Sequence, residues 1–219
     1  MVQTFQTNLD EIKEKILDLN TGLFLANELI LSALNDCDGE KFTQARAHIQ
    51  NVGSKTDEID NAIIKVLALY TPEARDLRRV ISYLKITNEL ARASSSTRSF
   101  IRGFTDVCVD VDVLTISEYA VPMQTATVAA IKHTIAMINC EDAEELQEIY
   151  NDVLIEENKA DDLYEMVERN LSVQAEGSNS FEKFHVMLRA LRKSGKIASR
   201  AISIANLLVY AKIGGNFRS

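Results

Sequence analysis

The chain has 219 residues, 46% of them hydrophobic and 26% charged. That composition excludes a disordered tract and supplies a core for one large domain or two small ones. Only 8 Gly and 2 Pro occur, too few for the many turns of an all-β or α/β chain, so long helices are expected. A net charge of −8 would repel a phosphate backbone, which argues against a nucleic-acid partner.

The N-terminal stretch MVQTFQTNLDEIKEK has no apolar leader core and reads as a mature start, and no uninterrupted apolar run is long enough to span a membrane. Leu9, Ile12, Ile16, Leu19, Leu23, Ala26 and Ile30 then follow the alternating three-four spacing of one helical stripe. After a polar turn at Asn35-Asp36-Cys37-Asp38-Gly39 comes a second stripe, Phe42, Ala45, Ile49, Val52, Ile59, Ile63 and Val66, with Thr56 in the vacant place. Thr71 is the expected N-cap of a third helix, Pro72 its first position, and Arg102 its approximate end. The alternation of Val107, Val109 and Val111 breaks the helical period, so Gly103 to Asp112 reads as a linker.

Beyond the linker the pattern repeats. At an offset of 104 residues Asp38 meets Asp142, Glu40 meets Glu144, Asp57 meets Asp161 and Ile59 meets Leu163. The last helix, Phe181 to about Lys212, aligns with the third at an offset of 101, which sets Leu90 on Leu191. Ile213-Gly214-Gly215 is its expected stop. The fold class is therefore all-α, two tandem three-helix bundles divided into 1–103 and 104–219, each unit large enough to bury a core of its own.

Other motifs carry less. Cys37, Cys108 and Cys140 lack a C-x-x-C spacing and read as reduced cytosolic thiols. A single Glu182-x-x-His185 falls short of the paired motifs of a di-iron site. Ser94-Ser95-Ser96-Thr97, flanked by Arg92 and Arg98, reads as small residues that allow close helix approach rather than an anion contact. The acids from Glu141 to Glu148 read as a solvated face. Arg75, Arg78 and Arg79 sit in the first turns of the third helix, where the dipole disfavours cations, and are candidates for partner contact. No arrangement of nucleophile and base suggests an enzyme.

Tyr70-Thr71-Pro72-Glu73-Ala74-Arg75-Asp76-Leu77-Arg78-Arg79, followed by Ile86-Thr87-Asn88-Glu89-Leu90, resembles the signature of the PhoU family. Glu157-Asn158-Lys159-Ala160-Asp161-Asp162-Leu163-Tyr164 is similar to its acid-x-x-x-Asp-x-x-Tyr helix, and Tyr210 with Gly214 to its tail. The resemblance implies a cytoplasmic, non-enzymatic regulator of phosphate uptake and phosphate-starvation signalling. Its partners would be the ATPase of a phosphate ABC transporter and a sensor histidine kinase, through which it would be peripheral to the membrane. An accessory protein of another phosphate or ion carrier, or a metal-storage bundle, are the alternatives. A homodimer would be permitted by apolar flanks such as Leu207, Leu208 and Val209.

The resemblance also implies metal clusters (iron, zinc, manganese or magnesium) on paired acid-x-x-x-acid helices, since residues four apart share a face. At those positions the first half carries Gly53, Asp57, Ala91 and Ser95, one carboxylate of four. The second half keeps Glu157 and Asp161 but has Arg192 and Lys196 opposite. No bound cofactor is expected from such a set; Asp57, Glu157 and Asp161 are what remains for a metal. The two acids and two cations are expected to face each other as salt bridges in its place.

Overall fold

A computed structural model describes residues 2–175 and 181–215. Among them the chain forms seven helical segments and no strand: α1 (Val2–Leu34), α2 (Gly39–His48), α3 (Val52–Leu69), α4 (Ala74–Asp110), α5 (Val113–Asn139), α6 (Ala143–Ala175) and α7 (Phe181–Lys212). The six-helix order of the sequence holds, with the second helix broken once into α2 and α3. The apolar stripes of α1 and of α2 with α3 are buried at every position expected from their spacing. At the break, Arg98 of α4 donates to the carbonyl of Ile49 at 3.1 Å, a group no longer held in the helical ladder.

The duplication is visible in the caps. Asp38 accepts from the backbone N–H of Glu40 at 2.8 Å and of Lys41 at 3.4 Å. Its counterpart Asp142 accepts from Glu144 and Glu145, both at 2.9 Å. The same acid thus performs the same N-cap in both repeats, satisfying donors that the helix start leaves open.

Three boundaries differ from expectation. Helix α4 starts at Ala74 with Glu73 as its N-cap, so neither Thr71 nor Pro72 takes the role expected of it. It also continues through Gly103–Asp110, taking in most of the expected linker and crossing the division at 103. Phe100, Phe104, Val107 and Val111 keep a four-three-four stripe that is buried, while Val109 is 83% exposed. Burial of that stripe overrides the β-preference of the valines. The third difference is covalent: Cys37 and Cys108 form a disulfide, with Cα atoms 5.6 Å apart and a sequence separation of 71. Only the fold brings the turn after α1 beside the last turns of α4; Cys140 alone stays a free, buried thiol.

Each triplet packs within itself, and homologous helices also pack on each other, α1 on α5 and α4 on α7. One continuous apolar cluster therefore spans both repeats. A buried polar ladder crosses it. Asn20 donates to Thr134 at 2.8 Å, and Gln124, the repeat counterpart of Asn20, donates to the Asn27 side-chain oxygen at 3.0 Å. Ser194 donates to Gln124 and meets Thr127, both at 2.8 Å. Ser94 and Thr97 are buried, and Asn27 donates to the Thr97 hydroxyl at 3.3 Å, so the Ser/Thr run serves packing. Leu207 and Leu208 are core residues too; they do not form a dimer flank. By length and composition α1 alone among the described residues could cross a membrane, yet its apolar stripe faces this core.

Candidate functional site

The paired-acid face of the second repeat lies on α6 and α7. Glu157 is half-buried and accepts from Ser199 at 3.2 Å. Burial pushes its carboxyl above the ordinary range and Asp161 adds to the shift, while the Ser199 hydroxyl opposes it. Asp161 is likewise raised, by burial and then by Asp162 and Glu165. The antiparallel register that sets Glu157 on Ser199 puts Arg192 beside Tyr164, whose phenol is raised by burial and by Glu168 and held back by Arg192. Arg192 is seven residues along α7 from the Ser199 contact, about 10 Å at the helical rise, so it is out of reach of Glu157. Lys196 is exposed and pairs with neither acid. The expected salt bridges of Glu157 and Asp161 with Arg192 and Lys196 do not form.

In the first repeat, Asp57 and Ser95 are exposed and Ala91 packs against the core. Asp60, one turn from Asp57, was not legible as special in sequence. It is raised by burial and by Asp57, and one of its oxygens is buried without a hydrogen bond. Among the described residues no three His, Cys, Asp or Glu side chains converge as a metal would require. The positions that the family resemblance assigns to a cluster supply one carboxylate, Asp57, in the first repeat, and two, Glu157 and Asp161, in the second, where Glu157 is hydrogen-bonded to Ser199. Neither donor set fits a multinuclear ion site. Glu182 and His185 both lie on the exposed side of α7.

The three arginines of α4 separate. Arg75 is exposed, and so are Leu69 at the end of α3 and Leu77 in α4. Arg78 lies against Gly214, whose φ of +94° turns the chain after α7; a Cβ there would come within 3.3 Å of the guanidinium. Arg79 stands beside Tyr83, which burial raises and Arg79 holds back. It joins a charged cluster around Glu141, which Lys13 reaches at 3.3 Å and Lys212 at 3.8 Å. Burial works to raise Glu141, but Lys212, Lys13 and Arg79 together hold it below the ordinary value. Glu141 thus pairs with cations of α1 and α7 while staying, like the other acids through Glu148, on the exposed face. Lys212 also donates to the carbonyl of Ile138 at 3.0 Å and to that of Cys140, closing the C-terminal end of α5.

The described residues thus define a tandem-repeat helical scaffold with charged contact surfaces and no convergent chemical centre. Residues 25–100 match the family model described as PhoU domain. The whole chain has the fold of two solved proteins. It matches the crystal structure of PhoU from Pseudomonas aeruginosa with a TM-score of 0.85 and 20% identity, covering 96% of this chain and 100% of that one. It matches the phosphate transport system regulatory protein PhoU from Streptococcus pneumoniae with a TM-score of 0.81 and 18% identity, covering 98% and 99%. No curated protein sequence matches at a significant level. Residues 25–100 thus match a PhoU domain, and the chain has the fold of the two PhoU structures.

Proposed function

We propose that the protein regulates phosphate transport, as a cytoplasmic adaptor that restrains a phosphate ABC transporter and a sensor histidine kinase when phosphate is plentiful. The observation that carries this reading is the PhoU-domain match at residues 25–100, with the same fold continuing through the second repeat. The long helices offer extended surface, which suits control by contact. Arg75, exposed in the first turn of α4 as Leu77 is, is the side chain of the arginine trio least engaged within the molecule. It is the one proposed to meet a partner, as arginine is enriched among the residues that carry binding energy.

Deletion of the gene in the organism that encodes it, with phosphate-starvation transcripts measured at high phosphate, tests the reading. Derepression that the wild-type gene reverses is the expected result, and Arg75→Glu should restore repression poorly. Unchanged transcript levels in the deletion strain would refute it.

A further inference from the structure

A basic concavity lies where α7 meets α4. A cavity of about 360 Å³ opens between α4 and α7, lined by Ser99, Arg102, Gly103, Asp106, Val186, Arg189, Ala190 and Lys193. That lies at the small end of ligand pockets, roughly 300–1,000 Å³. Its floor is the close crossing of Gly103 and Ala190, where a Cβ on the glycine would stand 2.9 Å from that of the alanine. Around it Arg102, Arg189 and Lys193 face one carboxylate, Asp106. Among the described residues none of these three cations has an ion-pair or hydrogen-bond partner. In a chain of net charge −8, that concentration of unmatched positive charge is not a compositional accident.

The internal repeat shows what is missing. At the offset of 101, Ala190 corresponds to Glu89, Ser99 to Arg200 and Lys193 to Arg92. At the opposite end of the same α4–α7 pair, Glu89 accepts from Arg200 at 2.9 Å and lies 4.0 Å from Arg92. There a built-in carboxylate neutralises the cations. In the cavity the equivalent residue is alanine, packed against Gly103, and two further arginines, Arg102 and Arg189, line the space beside it.

We infer that this cavity binds a small phosphoryl anion, either free phosphate or a phosphate monoester, in the place of the carboxylate that the other repeat carries. Three cations against Asp106 leave two positive charges, matching the charge of about −1.5 to −2 on a phosphate monoester near neutral pH. Arginine's fork of donors suits tetrahedral oxyanions, and charge-assisted bonds are the stronger kind. Asp106 disfavours a more highly charged ligand alongside it unless a hydroxyl of the ligand takes its oxygens. The inference stands on the cavity and its repeat counterpart, and does not depend on the regulatory reading.

The test is calorimetric titration of the full-length protein at low ionic strength with inorganic phosphate and, separately, with glycerol phosphate. Saturable one-to-one binding of at least one anion is expected. The double variant Arg102→Gln/Arg189→Gln should weaken it by about tenfold or more, with an unchanged thermal melt. Arg169→Gln, an exposed cation on α6, should leave it unaltered. Binding of both anions assigns free phosphate as a sufficient ligand; binding of the monoester alone assigns an esterified one. No saturable binding of either anion at millimolar concentration would overturn the inference. Equal affinity of the folded double variant would overturn it too.

Discussion

Replacing Gln124 by leucine removes the central rung of the ladder that crosses the two repeats. Gln124 is fully buried on α5 and reaches α1 and α7 at once, donating to the Asn27 side-chain oxygen at 3.0 Å and accepting from Ser194 at 2.8 Å. In Gln124→Leu, Ser194 keeps Thr127 as a partner at 2.8 Å, and the Asn27 amide nitrogen keeps the carbonyl of Leu23 at 2.8 Å. The Asn27 side-chain oxygen loses its one donor. A buried acceptor left alone costs about 1–3 kcal/mol, and leucine's better transfer out of water offsets part of it, so a net loss of about 1–2 kcal/mol is expected. For a chain of this length that lowers the melting temperature by roughly 2–4 °C per kcal/mol. Urea unfolding followed by circular dichroism measures the loss, and the double variant Asn27→Leu/Gln124→Leu measures the coupling. Its cost should fall short of the sum of the single costs by about 0.5 kcal/mol or more, because the orphaned oxygen is gone. A Gln124→Leu protein within about 0.5 kcal/mol of the parent, or strictly additive costs, would refute the reasoning.

Because the inner faces of α1 and α4 are covered by α5 and α7, a fragment of residues 1–111 should expose apolar surface. It should bind a hydrophobic dye and melt without cooperativity; a sharp two-state melt would show that a triplet suffices by itself. Cys108→Ser should destabilise the oxidised protein by about 2–4 kcal/mol, from the loss of a crosslink across a long loop, and have no effect under strong reductant. Thiol counting in denaturant should find one reactive cysteine before reduction and three after it. The folded chain holds protons on Glu157 and Asp161 more tightly than the unfolded chain does, since both are raised. Their contribution to stability therefore falls as pH rises from the ordinary carboxylate value through the raised folded ones, and is recovered on acidification. Glu157→Gln should accordingly stabilise at pH 7 by about 0.2–0.5 kcal/mol, the scale of like-charge pairs four apart, with the gain shrinking toward pH 4. A loss of stability at pH 7 would count against the assigned repulsion.

Much of this architecture was legible in the residues. Periodicity placed the apolar stripes of the first two helices because a helix that must bury one face leaves a spacing of three and four. The offset of the repeats was equally legible, and it paired Asp38 with Asp142; that both cap a helix start came from the structure. Where local preference and burial disagreed, at Val107 to Val111, burial of the Phe104 and Val107 face prevailed, since a few tenths of a kcal/mol of propensity per residue cannot oppose it.

The sequence by itself determined an all-helical tandem repeat, its resemblance to PhoU proteins, and the loss of the acid pattern at Gly53, Ala91, Ser95, Arg192 and Lys196. The tertiary structure decided everything that depends on register between helices distant in the chain. It joined Cys37 to Cys108, merged the two triplets over one core, and set Glu157 against Ser199 instead of Arg192. It also left Arg102, Arg189 and Lys193 around a cavity where the other repeat has Glu89. Spacing along one helix fixes which residues share its face, but a shift of one turn between neighbours changes every partner across the interface, and that shift is chosen by the packing of the whole core.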